Sequence, residues 1–291
     1  MNAEILAFFD TGTNSISYLV ADPETRTAAI VDPVLDFDPR GGVVDTRSVD
    51  RLLDEAASRR LSIAWILETH PHADHLTGAH AVRERTGAPV VIGAHVCEVQ
   101  ATWRDRFEAH DVVPDGRAFD RLVADEDFLA FGGLGIRVLH TPGHTPACVS
   151  YLIGEAMFVG DALFMPDYGS ARCDFPGGDA ASLYRSIRRL LSLPDATRIF
   201  VGHDYLPEHG RGEIRWETSV AEQRTSNIHV RDGVTEQEFC VMRRARDATL
   251  APPAFILPAL QVNIRAGAMP PPTAEGHVFL KIPVTGPRRK D

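Results

Sequence analysis

Four short stretches of this sequence gather side chains that bind metal ions. Thr69-His70-Pro71-His72-Ala73-Asp74-His75 carries four nitrogen and oxygen donors within six residues. His140-Thr141-Pro142-Gly143-His144-Thr145-Pro146 presents His144 on a rigid Pro-Gly turn, while Gly160-Asp161 adds a carboxylate and Gly202-His203-Asp204-Tyr205 another imidazole. A metal centre needs several such donors converging on one point, and loops at one edge of rigid sheets hold them best. In an extended stretch, residues two apart face the same way, so His70 and His72 are expected to face one cavity. The start of a following helix would aim Asp74 and His75 at its other side. A lone strand-end His or Asp is more often a hydrogen-bonded cap than a ligand; it is the ordered set of four loops that points to a metal.

The elements that must position these loops read as follows. Ile5–Phe9 and Ser15–Val20 are strand-like, and the turn Asp22-Pro23-Glu24-Thr25 joins the second to Ala28–Val31 as a hairpin. Asp50–Arg60 has apolar residues at helical spacing, and Ile63–Leu67 is a short apolar run read as a buried strand that ends at the His-rich segment. His75–Arg85 reads as a helix with Asp74 as N-cap and Gly87 closing it, followed by a strand at Pro89–Ile92. Short strands follow at Phe128–Phe131, Ile136–Leu139, Cys148–Ile153 and Met157–Val159, then a helix at Ala180–Leu191 and an apolar run at Arg198–Val201. Two βα-containing halves with hairpin strands between them predict an α/β fold of two sheets packed face to face with helices outside, an αββα sandwich. Residues 1–210 are read as this core, and 211–291 as a C-terminal helix and Pro-rich tail packed on it.

Composition sets the outer bounds. The chain has 291 residues, 44% hydrophobic and 24% charged, enough for a substantial core. A formal charge of -10 and no stripe of Lys or Arg argue against a nucleic-acid partner. No apolar stretch approaches the roughly 20 residues of a membrane span, and Met1–Asp10 has neither signal-peptide nor transit-peptide pattern. A cytoplasmic enzyme without membrane partners is the expectation. Cys97, Cys148, Cys173 and Cys240 make no Cys-x-x-Cys pair and are expected to be free thiols. Asp32 and Asp36 are read as turn caps, and the remaining histidines, His209 among them, are assigned no role.

The ordered set His-x-His-x-Asp-His, His144, Asp161 and His203 resembles the metallo-β-lactamase superfamily over roughly residues 5–205. That resemblance implies the αββα sandwich. In the superfamily's binuclear hydrolases it would place one metal on His70, His72 and His144, and the other on Asp74, His75 and His203, with Asp161 bridging. Two ions about 3.5–4 Å apart would lower the pKa of a shared water.

Gly160-Asp161-Ala162-Leu163, Ala171-Arg172-Cys173-Asp174-Phe175, Gly202-His203-Asp204-Tyr205 and Val262-Asn263-Ile264-Arg265-Ala266-Gly267 resemble the persulfide dioxygenases, or sulfur dioxygenases, within that superfamily. The resemblance implies one Fe(II) per chain on His70, His144 and Asp161, with His72, Asp74, His75 and His203 orienting ligands and water, and oxidation of glutathione persulfide by O₂ to sulfite and glutathione. Asp74, His75 and Tyr205 are then the candidate catalytic residues, and Arg172, Tyr205 and Arg265 the candidate substrate contacts. The alternative is a binuclear zinc thioester hydrolase of the glyoxalase II type, although that family typically has Glu where Asp204 stands and a longer helical C-terminal domain. A third reading is a metal-dependent binding module without turnover. A homodimer is expected by analogy, with Phe255–Leu260 as a contact.

Overall fold

Successive side chains of the second strand enter different cores, and that alternation fixes the layers. In the computed structural model, which describes residues 3–207, 210–284 and 286, Ile16, Tyr18 and Val20 enter one buried cluster and Leu19 and Ala21 another, as the two-residue period of a pleated strand requires. His209 lies outside the described residues.

The first half of the chain contains strands β1 (Glu4–Asp10), β2 (Ser15–Asp22), β3 (Thr27–Val31), β4 (Val34–Asp38), β5 (Val43–Asp45), β6 (Ser62–Leu67), β7 (Leu76–Thr77), β8 (Val90–Gly93) and β9 (Arg121–Val123). Its helices are α1 (Arg47–Ser58), α2 (Ala79–Thr86) and α3 (Val96–Phe107). They build a six-stranded sheet ordered β1-β2-β3-β6-β8-β9 and a small ribbon β5-β4-β7. The second half contains β10 (Phe128–Phe131), β11 (Leu134–His140), β12 (Val149–Ile153), β13 (Ala156–Phe158), β14 (Arg198–Phe200) and β15 (Glu217–Ser219), paired in that order into another six-stranded sheet. Helices α4 (Ala180–Leu190), α5 (Val220–Ser226), α6 (Glu236–Asp247) and α7 (Ile256–Asn263) complete it.

The first cluster joins the two sheets. Tyr18 sets its ring edge-on to Phe158 and Phe200, with centroids 5.1 and 5.6 Å away, and its hydroxyl donates to the Val201 carbonyl at 2.5 Å. The second cluster lies on the first sheet's other face, where Ile30, Ile66 and Val90 meet Leu52, Val82 and Leu260 of the helices. Leu183, Ile187 and Leu190 of α4, at helical spacing, cover the second sheet. This is the αββα sandwich expected from the sequence.

Several local expectations differ. The helix after the His-rich segment begins at Ala79 with Gly78 as its N-cap, so Asp74 caps nothing. Leu76 and Thr77 pair with Leu35 and Val34 instead, and Gly78 N–H donates to the Pro33 carbonyl at 2.6 Å, which delays the helix by one strand pairing. Among the described residues beyond 210 there are three helices and β15, which pairs with β14 in the second sheet. Phe255–Leu260 is the start of α7 and packs into the chain's own second cluster. The four cysteines are free thiols, three of them buried.

The topology brings the carboxyl ends of β3, β6, β11, β13 and β14 to one edge. Ile16 N–H donates to the Gly202 carbonyl at 2.8 Å and ties the two sheets together there. Gly160 opens the Asp161 loop at φ +49, and a Cβ on it would stand 2.4 Å from Thr69 Oγ1. Only glycine lets that loop approach the His-rich segment so closely.

Candidate metal centre

Residues 70–75 run as an irregular loop with no helix start at Asp74 and His75, while the rings of His70 and His72 lie side by side with centroids 4.2 Å apart. What each imidazole can do is decided by the atom its Nδ1 meets. Thr69 Oγ1 gives its one proton to Asp32 Oδ2 at 2.8 Å, so the 3.0 Å contact between His70 Nδ1 and Thr69 Oγ1 needs the proton on His70. His144 Nδ1 lies 2.8 Å from the Arg172 carbonyl, which only accepts. In both rings the Nε2 lone pair is therefore left free. His144 Nε2 and His70 Nε2 stand 3.6 and 3.9 Å from Asp161 Oδ2, and the three residues converge within 4.8 Å. With metal–nitrogen bonds of about 2.1 Å, cis donors stand about 3 Å apart in an octahedron and about 3.4 Å in a tetrahedron. The triad is therefore near closure around one ion. His70 Nε2 is buried without a hydrogen-bond partner, a cost that a cation on the triad would remove; both His72 nitrogens, His203 Nε2 and the Asp161 Oδ1 that faces His203 are orphaned in the same way around the neighbouring donors. Burial, reinforced by neighbouring histidines, holds His70 well below the ordinary imidazole range and so in the neutral form a ligand needs.

His72 meets different chemistry. Its Nε2 lies 3.2 Å from Asp32 Oδ1 and 3.9 Å from Glu68 Oε2, and these three residues form a buried group of their own. Burial alone would depress His72, but the Asp32 carboxylate, with Glu68 and Asp74, pushes it up to about 10. Asp32 sits at φ +46 and accepts from Thr69 N–H at 2.7 Å as well as from its hydroxyl. It underpins the His-rich loop instead of capping the turn expected of it; Asp36 does serve as a cap, accepting from Ser48 N–H at 2.8 Å at the start of α1. Burial raises Glu68, which accepts from Thr77 Oγ1 at 2.6 Å.

A second donor set consists of His72, Asp74 and His203. His203 Nε2 stands 3.3 Å from both Asp74 Oδ2 and Asp161 Oδ1. Burial works against the Asp74 charge, yet His203, His75 and His72 hold its carboxyl down at about 2. His75 is in neither set, although its Nδ1 faces the Leu76 carbonyl at 3.0 Å, which leaves its Nε2 lone pair free, and its ring lies 4.2 Å from that of His72; the residue also borders a separate cavity of about 470 Å³ beside Asp36 and Asp38.

A cavity of about 340 Å³ opens on the triad, reaching Asp74, His144, Asp161, Arg172 and Tyr205. Tyr205 stacks on His203 at 5.5 Å, and burial pushes its phenol above the ordinary range. Arg172 lines the cavity, but its fork is committed to Asp174 at 2.6 and 2.7 Å and to the Ala251 carbonyl at 2.7 Å. Arg265 is not brought to the site; it is paired with Asp111 at 2.7 Å and lies on another surface. Asp204 is buried and bound by Arg211, an anchor for the His203 loop rather than a wall of the cavity. Asn263, part of the motif that drew attention to Arg265, donates to the His72 and His75 carbonyls and accepts from Thr77 N–H at 2.8, 2.8 and 2.9 Å. Its amide pins the loop that Arg265 does not reach.

Residues 10–203 match the metallo-beta-lactamase superfamily, and the chain belongs to it. It is a metal-dependent enzyme of that superfamily, with a His/Asp metal site in the fold that defines the class. The chain is 50% identical to a probable metallo-hydrolase of Burkholderia pseudomallei, over 95% of this chain and 97% of that one. It is 44% identical to a protein described as glyoxylase B2 from Dictyostelium discoideum, over 97% of each. The human mitochondrial persulfide dioxygenase ETHE1 is 29% identical over 90% of this chain and 88% of its own length. Among solved structures, ETHE1 from Myxococcus xanthus superposes with a TM-score of 0.72 at 34% identity, covering 92% of this chain and all of that one. No helix among the described residues is long and apolar enough to cross a membrane.

Proposed function

We propose that the chain is a non-haem Fe(II) persulfide dioxygenase, converting glutathione persulfide, O₂ and water to glutathione, sulfite and protons. The observation that carries this reading is the donor set: two imidazoles with free Nε2 lone pairs and one carboxylate, while His72 stands 3.2 Å from the Asp32 carboxylate and His75 belongs to none of the converging donor groups. Two histidines and one carboxylate are the donors of non-haem iron sites that keep positions open for substrate and O₂. Fe(II) on His70, His144 and Asp161 would supply the one-electron chemistry that reaction of O₂ with a closed-shell persulfide requires. The likeness to ETHE1 proteins supports the same reading.

The chain's own residues then divide the remaining work. Phe164, Tyr168 and Phe175 wall the cavity and limit water around the reacting sulfur. Tyr205, kept as a phenol, offers a hydrogen-bond donor beside the triad, and ionised Asp74 offers an acceptor. Arg246 borders the cavity over the Tyr168 ring and has no carboxylate partner among the described residues, which suits an anionic thiol peptide.

A second reading, a binuclear zinc thioester hydrolase, draws on the His72, Asp74 and His203 donor group and on the 44% identity to the Dictyostelium protein. An oxygen-electrode trace on Fe(II)-loaded protein separates the two. O₂ uptake with glutathione persulfide, and sulfite as product, is expected. No uptake by iron-loaded protein, together with hydrolysis of lactoylglutathione by the zinc-loaded form, would establish the hydrolase instead.

A further inference from the structure

Arg243 is among the largest fully buried side chains of the molecule, and its charge is matched by an Asp247 that is also buried, one turn further along α6. Burying an ion pair costs several kcal/mol per ion in desolvation, and apolar residues of the same volume often serve stability as well or better. The placement of this pair therefore calls for a reason other than stability, and its remaining hydrogen bonds supply one.

Arg243 grips Asp247 Oδ1 with Nε at 2.9 Å and Nη2 at 2.6 Å, and its Nη1 donates to the Ser170 carbonyl at 3.0 Å. The other carboxylate oxygen of Asp247 accepts from Cys173 N–H at 2.9 Å. The pair thus holds residues 170 and 173 of one strap from the same side. Between those two points lies Arg172, whose carbonyl takes the Nδ1 proton of His144 at 2.8 Å. That contact fixes which nitrogen of His144 carries the proton and leaves Nε2 directed at Asp161. The strap has no secondary structure of its own beyond one isolated bridge at Ser170, so its place rests on such side-chain bonds.

We propose that the buried Arg243–Asp247 pair is a positioning device for the metal ligand His144, acting through the 170–173 strap, so that α6 sets the metal affinity of a site to which it contributes no ligand. Asn263 of α7 does the equivalent for the His70–His75 loop. The proposal concerns metal binding, and it stands or falls independently of whether the reaction is oxidation or hydrolysis.

The test is cobalt(II) binding to the full-length metal-free protein, read by chelator competition and by the visible ligand-field spectrum, with the thermal melt recorded on the same samples. The double variant Arg243→Met with Asp247→Leu keeps the packing and removes the clamp. Arg243→Lys keeps the charge but cannot reach Asp247 and Ser170 together with one planar fork. Both are expected to bind cobalt roughly tenfold or more weakly and to show a shifted ligand-field band. Leu52→Ala, in the remote core of α1, should lower the melting temperature while leaving affinity and band unchanged. Wild-type affinity and spectrum in a folded double variant would overturn the proposal. So would loss of the fold in both the double variant and Arg243→Lys, since that would make the pair an element of stability alone.

Discussion

His70 and His72 flank a single proline, are equally buried and have tilted rings with centroids 4.2 Å apart, yet they meet opposite chemistry. On the His70 side, a hydroxyl already committed to Asp32 takes the Nδ1 proton and leaves Nε2 a free lone pair. On the His72 side, the Asp32 carboxylate stands 3.2 Å from Nε2 and favours the protonated ring. The difference teaches that the number of histidines in a motif does not count its ligands. The partner atom of each ring does, and one carboxylate, Asp32, sets both outcomes.

The sharpest way to break this comparison is to delete rings from each side. His70→Ala or His144→Ala is expected to abolish metal retention after desalting and all turnover, measured by elemental analysis and by substrate assay. His75→Ala should keep the metal and lose activity only in part, because His75 is outside the His70, His144 and Asp161 group. Equal loss of metal from His70→Ala and His75→Ala would erase the distinction between the two sides.

Asp32→Asn sharpens the comparison next. It preserves the shape and tolerates the φ of +46, but leaves His72 and Thr69 without their carboxylate. Breaking a buried charge pair costs about 3–5 kcal/mol, so a loss of that order in urea denaturation of the metal-free protein is expected.

A smaller effect comes from His229, under the strap, where Nδ1 accepts from Ser170 N–H at 3.0 Å and must stay unprotonated to do so. Burial, with Arg243 and Arg246 nearby, lowers its pKa to about 4. Its folded value lies below the ordinary 6.5, so between the two the unfolded chain binds a proton that the folded chain refuses. The stabilisation is complete above pH 6.5 and is lost as pH falls towards 4, by up to about 3 kcal/mol. His229→Gln should flatten the stability profile in that window. The smallest effect on the site is expected for Arg265→Ala: its side chain is tied to Asp111 and the Gln261 carbonyl away from the donors, and metal content and turnover should be unchanged.

Much of this was legible in the sequence, because strands and donor loops leave local marks. Ile63–Leu67 reads as a buried strand from its apolar run, and the positions of His70, His144, Asp161 and His203 after such runs locate the site edge. The directions of the side chains were not legible. Reading an extended stretch through His70 and His72 and a helix start at Asp74 and His75 placed the His72 ring beside that of His70, where it lies, but gave no sign of the Asp32 carboxylate that meets it or of the loop that continues to Gly78. Asp32 and Glu68 looked like ordinary polar residues at strand ends, since the sequence carries no sign that both would be buried under one imidazole. Arg265 drew attention as a cation in a recognisable motif, while the residue that reaches the site from it is Asn263. Long-range hydrogen bonds of this kind have no period in the chain and become visible only in the folded molecule.

One ion is expected on His70, His144 and Asp161, with the His72 imidazole engaged by the Asp32 carboxylate. The most direct test is the metal-to-protein ratio after anaerobic reconstitution with excess Fe(II) and desalting. A ratio near one per chain that falls to near zero in Asp161→Ala is the expected result; a ratio near two in the unaltered protein would contradict it.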